Sequence, residues 1–167
     1  PDNVIAIKKC AFENCKNLVT LNIGQYSSLR KIGDYAFAGC EKLEKISLPD
    51  SVIEICDYGD NGGGTFSGCI NLKEMDIPPK INYLNESIFY NCKSLVKVKL
   101  PYGLEYLDQD VFYGCDNIKT VILRNASTKI EEGTFPKDVE IIVEESQLYN
   151  KIMFEWFFIN AMKQYGL

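Results

Sequence analysis

The chain has 167 residues, 46% hydrophobic and 25% charged, the balance of a folded, water-exposed domain and not of a disordered tail. Its net charge of −5 speaks against nucleic acid as a partner, because phosphate binding requires a positive field. Histidine is absent, which removes Ser-His-Asp and Cys-His catalysis, and no apolar run approaches the ~20 residues that span a bilayer.

The first residues, Pro1-Asp2-Asn3-Val4, are not a natural start. They fit the middle of a repeat that becomes clear further on, so the chain is expected to be a piece of a longer protein. A missing leader then says nothing about location. Five segments share Phe-x-x-Cys-x-x-(Leu/Ile), at Phe12/Cys15/Leu18, Phe37/Cys40/Leu43, Phe66/Cys69/Leu72, Phe89/Cys92/Leu95 and Phe112/Cys115/Ile118. Up to Phe135 the phenylalanines step by 25, 29, 23, 23 and 23 residues. The base period is 23, with two residues added near Gly24 to Ser28 and six near Asp57 to Gly64.

Within one period, Leu95-x-x-Val98-x-Leu100 reads as a short strand with alternate side chains inward, ended by Pro101, which cannot donate to a ladder. Leu104 and Leu107 return the chain along a second side. Phe112 and Cys115, three apart, suggest one helical or 3₁₀ turn at the remaining corner. A lone coil cannot bury these residues, whereas stacked coils can, with strands pairing in parallel.

These positions resemble the BspA-type, or Treponema-type, leucine-rich repeat, Leu-x-x-Ile-x-Leu-Pro-x-x-(Val/Leu)-x-x-Ile followed by Ala-Phe-x-x-Cys. Leu43-Glu-Lys-Ile46-Ser-Leu48-Pro49-Asp-Ser-Val52-Ile-Glu-Ile55 and Ala36-Phe37-Ala-Gly-Cys40 carry the likeness. It implies a leucine-rich-repeat solenoid of stacked short parallel β-strands with short helical or 3₁₀ turns. It also implies an extracellular or cell-surface setting and a role in adhesion or protein binding. The fifth repeat departs from this pattern, with Arg124 in place of the proline and the polar Asn125-Ala126-Ser127-Thr128 after it, so the pattern specifies the coil least there.

Residues 1–135 are therefore read as about five repeats, the first partial, and 136–167 as a C-terminal cap. Val139-x-Ile141-x-Val143 alternates like a last strand, and Ser146 suits the N-cap of a helix from about Gln147 to Tyr165. That helix would cover the end of the solenoid, leaving Phe154 and Phe158 available to contact a partner or, by self-association, a second copy.

The cysteines at one repeat slot are expected to be buried, reduced and space-filling, since in-register side chains point the same way and no Cys-x-x-Cys pair exists. Cys10 and Cys56 fall outside that column and are expected to be more accessible. The Asp57–Gly64 insertion has oxygen ligands but lacks an EF-hand register, so a solvated loop is favoured over a calcium site. No cofactor is expected.

Outward strand positions form two rows: Thr20, Lys45, Glu74, Lys97, Thr120, and Asn22, Ser47, Asp76, Lys99, Ile122. Glu74 and Asp76 would lie between Lys45 on one rung and Lys97 and Lys99 on the next, as a recognition strip or as a cross-strand salt ladder. Tyr83 and Tyr106 share one slot, Tyr90 and Tyr113 another, with Tyr102 nearby; they form either a contact patch or a shield for the coil edges. The expected function is a non-catalytic protein-binding or adhesion module whose partner is a host or neighbouring surface macromolecule. The alternative is a spacer or stalk presenting another domain. Hydrolysis by Glu74 and Asp76 is a third and weaker reading, because an open face has no means to exclude water.

Overall fold

The computed structural model describes residues 3–56, 63–136 and 138–144. Its strands, in chain order, are β1 (Ala6–Ile7), β2 (Thr20–Asn22), β3 (Lys31–Ile32), β4 (Lys45–Ser47), β5 (Glu54–Ile55) and β6 (Glu74–Asp76). They continue with β7 (Tyr83–Leu84), β8 (Lys97–Lys99), β9 (Tyr106–Leu107), β10 (Thr120–Leu123), β11 (Lys129–Ile130) and β12 (Glu140–Val143). Even-numbered strands are the rungs of one face and odd-numbered strands those of a second. Every pairing is parallel.

The expected alternation decides which side chains turn inward. Ile46, Met75, Val98 and Val121 are buried at the centre of their strands. Around them, Leu43, Leu72 and Leu95 precede the strand, Ile77 and Leu100 follow it and Leu123 ends it, all buried. Ile32, Ile55, Leu84 and Leu107 fill the same core from the second face.

The rungs do not form one unbroken ladder. The first face divides into β2–β4 and β6–β8–β10–β12, and the second into β1–β3–β5 and β7–β9–β11. Both breaks fall where six residues are added to the period. The third side, made of turns, bridges this seam: Phe37 N–H donates to Thr65 O at 2.9 Å and Gly39 N–H to Ser67 O at 2.8 Å.

That turn side also corrects the expected helical or 3₁₀ segment. Among the described residues there is no helix. Bonds from residue i+3 back to i do occur, as from Cys92 N–H to Phe89 O and from Leu95 N–H to Cys92 O, but they do not run consecutively. The cause is the residue two past each phenylalanine, which is left-handed in all five coils: Asn14, Gly39, Gly68, Asn91 and Gly114, at φ of 57 to 74°. A left-handed residue ends each turn before a second helical bond can form. Its own N–H donates to the adjacent coil, as from Asn14 to Ala38 O and from Asn91 to Tyr113 O, both at 2.7 Å, a backbone path that asparagine and glycine adopt at least cost.

The polar stretch at Asn125–Thr128 keeps the coil in register. Asn125 Nδ2 and Thr128 Oγ1 both donate to Leu104 O, each at 2.8 Å. Thr128 is buried and Ser127 exposed, so the inward position held by Leu104 one coil earlier is filled one residue late. β11 still pairs with β9, Lys129 opposite Tyr106 and Ile130 opposite Leu107. Beyond it β12 continues the ladder, Thr120 opposite Glu140 through Leu123 opposite Val143, giving a sixth rung. The predicted helix after Ser146 and most of the Asp57–Gly64 insertion lie outside the described residues.

Candidate functional site

Two columns on the turn side carry the repeat chemistry. The rings of Phe12, Phe37, Phe66, Phe89, Phe112 and Phe135 stack with centroids 5.3 to 5.6 Å apart. Beside them Cys40, Cys69, Cys92 and Cys115 are buried free thiols. They do more than fill space. Each Sγ donates to the carbonyl of the phenylalanine one coil earlier: Cys40 to Phe12, Cys69 to Phe37, Cys92 to Phe66 and Cys115 to Phe89, at 3.0 to 3.2 Å. Burial pushes the Cys40 thiol up to about 11 and the Cys69 thiol up to about 12. Desolvation raises Cys92 as well. A thiol held protonated in this way is neither a nucleophile nor a metal ligand at neutral pH.

Cys10 is exposed, but so is Cys15, the first member of the column, against the expected burial: it lies in the first described coil, with no earlier Phe-Cys turn stacked over it. Cys56 is not, contrary to the sequence expectation: it is buried and donates to Asp34 Oδ1 at 2.7 Å and Gly63 O at 3.2 Å. Gly63, near the end of the insertion, lies against the Tyr35 ring so closely that a Cβ would run into it. The insertion returns over Cys56 through this approach, which a period-based reading could not foresee. Among the described residues no three Cys, Asp or Glu side chains converge to hold a metal ion.

The tyrosines divide among three places instead of forming one patch. Tyr83 and Tyr106 stack at 5.0 Å on the second face and point their hydroxyls onto the next coil, Tyr83 to Asp108 at 3.1 Å and Tyr106 to Glu131 at 2.9 Å. Lys129 completes this edge, 2.9 Å from Glu131 and over the Tyr106 ring. The hydrogen bond from Lys129 holds the Glu131 carboxyl below its ordinary range, and the bond to Glu131 raises the Tyr106 phenol. Tyr90 and Tyr113 stack at 5.3 Å on the turn side, with Tyr113 58% exposed. Tyr102 stands apart from both pairs, at the rim of the rung face.

That rung face holds a groove of about 770 Å³ that brings together Lys45, Glu74, Asp76, Lys97, Lys99 and Tyr102. Pro78, Pro79 and Pro101 form its rim beside Tyr102, and Met75 and Ile77 contribute to its lining. Five basic and four acidic side chains line it, a balance unlike the −5 of the whole chain.

The salt ladder suggested by the sequence exists along one row only. Asp76 lies 3.6 Å from Lys99 Nζ and 3.6 Å from Arg124 Nη1. Arg124 also meets Glu144 at 3.0 Å and lies over the Tyr102 ring at 5.3 Å. One guanidinium thus spans four rungs, from β6 to the end of β12. Sequence reasoning noted Arg124 only as a missing proline; a long donor in a slot held by proline in the three preceding coils was the available signal. In the other row Lys45, Glu74 and Lys97 face the groove on successive rungs, and among the described residues no ion pair joins them.

Stacked parallel coils with a buried Phe-Cys column and an exposed, variable rung face define a leucine-rich-repeat solenoid. The model of the BspA type Leucine rich repeat region matches six copies over residues 1–59 and 61–154, and the chain belongs to that family. Among solved structures it is similar to the T. pallidum Leucine Rich Repeat protein, with 28% identity and a TM-score of 0.67 over 84% of this chain. A leucine-rich repeat protein from Bacteroides ovatus is 28% identical over 86% of this chain, with a TM-score of 0.49. The chain spans 63% of the first of these proteins and 44% of the second. No curated protein matches it.

Proposed function

We propose that the chain is a non-catalytic protein-binding module of a surface or secreted protein, and that it engages its partner through the groove. One observation carries the reading: the rung face gathers exposed charge, a half-exposed aromatic ring and a rim of prolines in one concavity. Tyr102 at the rim, 48% exposed and backed by Arg124, is an aromatic anchor already fixed in place. The second face spends its aromatic rings on internal hydrogen bonds. Membership of a repeat family whose members bind proteins, commonly at surfaces, supports the same reading.

The test compares the wild-type chain with Tyr102→Ala and Tyr113→Ala against a panel of purified surface and matrix proteins, by biolayer interferometry. A binder retained by Tyr113→Ala and weakened about tenfold or more by Tyr102→Ala supports the groove, since truncating an interface aromatic costs that much. Equal binding by all three chains, or none by any, overturns it and favours a spacer.

A further inference from the structure

The free row of the groove has a pattern of its own. Lys45, Glu74 and Lys97 present plus, minus, plus on three successive rungs, and Glu74 and Lys97 are direct register partners. Their neighbours in the second row are consumed internally, Asp76 by Lys99 and Arg124. Three unspent charges of alternating sign therefore face the open groove.

Their pitch selects the shape of what can answer them. Paired parallel strands repeat every ~4.8 Å, which sets the β6–β8 step, and since β4 and β6 meet across the seam without pairing, ~9.6 Å is only a lower bound for the two rungs. The phenylalanine rings of the same coils are 5.6 and 5.5 Å apart, which places two rungs at the upper end, near 11 Å. An α-helix rises ~1.5 Å per residue, so residues i, i+3 and i+7 fall at about 0, 4.5 and 10.5 Å on one face. An extended segment repeats the same face only every ~6.6 Å and would be out of step by the third position, at ~13 Å.

The geometry points to a partner α-helix lying along the solenoid axis in the groove, presenting acid, base and acid at i, i+3 and i+7 to Lys45, Glu74 and Lys97. This rests on the groove being the binding face, and it adds the partner's secondary structure and charge order. The strand face is wide enough, since three residues per rung cover ~10 Å, about the diameter of a helix with its side chains. Alternation supplies selectivity more than affinity: a partner with the reverse order places like charges opposite each other on all three rungs.

The test uses three labelled, alanine-rich peptides of about 16 residues, long enough for a marginal helix. One carries Glu, Lys, Glu at i, i+3, i+7, one carries Lys, Glu, Lys, and one has the first composition with a central proline. Anisotropy titrations at low salt would show the first peptide favoured over the second by about tenfold, from three weak exposed pairs acting together. The triple variant Lys45→Glu/Glu74→Lys/Lys97→Glu, with its melting curve confirming the fold, would reverse that order. Equal binding of the first two peptides, or an unreversed order in the variant, overturns the charge pattern. Equal binding of the proline peptide overturns the helix. If amide shifts still place any of these peptides in the groove, the broader reading survives; if none enters it, that reading loses this support too.

Discussion

The turn side and the rung face belong to the same coils yet obey different rules. On the turn side four successive coils repeat one solution: a stacked phenylalanine, a thiol (Cys40, Cys69, Cys92 or Cys115) donated to the preceding coil, and a left-handed residue between them. On the rung face no two adjacent coils agree, passing from Thr20 to Lys45, Glu74, Lys97 and Thr120. A buried position meets the same neighbours above and below at every rung, so one residue type suits all of them. An exposed position meets solvent, and nothing in the stack constrains its identity. The groove is where the molecule is free to differ from itself.

The largest test of this contrast is Phe89→Ala. The ring is fully buried between Phe66 and Phe112, and its loss should cost about 3–5 kcal/mol in denaturant unfolding. A cost near that of a surface change would mean that the stack does not carry the stability assigned to it. Next comes Gly114→Ala, at φ 74°, where the added Cβ also meets the Asn91 side chain. We expect about 1–2 kcal/mol from the left-handed backbone, measured the same way.

The cysteine column supplies an intermediate effect with a defined pH range. A thiol raised from 9.0 to about 12, as at Cys69, contributes stability that is intact below pH 9 and lost as pH climbs toward 12. Unfolding midpoints should therefore fall across that window. At pH 8 in the native chain a thiol reagent should modify Cys10 and Cys15 and spare Cys40, Cys56, Cys69, Cys92 and Cys115. Rapid modification of all seven would refute the buried ladder. The smallest effect belongs to Arg124→Ala, whose ion pairs are partly exposed and together stabilise by under about 1 kcal/mol. A loss as large as that of Phe89→Ala would place the rung face among the structural elements and erase the contrast.

These same positions show what the sequence could reveal. The Phe and Cys columns, the strand rungs and both insertions follow from period alone, because burial recurs at fixed spacing. The turn was misread as helical because Phe and Cys three apart are compatible with either geometry. The deciding residues also include Cys10, Tyr35, Ser87 and Asp110, which are left-handed without being glycine or asparagine. Cys56 was placed outside the core because the approach of Gly63 depends on how an insertion returns, and no repeat specifies that. The groove charges could be assigned to rows from spacing. Which of them neutralise each other depended on Arg124 reaching across two rungs, a side-chain path invisible to a one-dimensional pattern.

The thiol-to-carbonyl bonds have one further implication, for how such a chain changes length. Every donor and its acceptor are separated by one coil, and every bond points toward the preceding coil. Copying or excising a whole coil leaves each remaining thiol facing a phenylalanine carbonyl, whichever coil is involved. Losing part of a coil strands a donor in the apolar interior. The ladder therefore acts as a reading frame for evolution: the protein can lengthen or shorten in whole coils, while smaller changes survive only at corners such as the one beside Cys56.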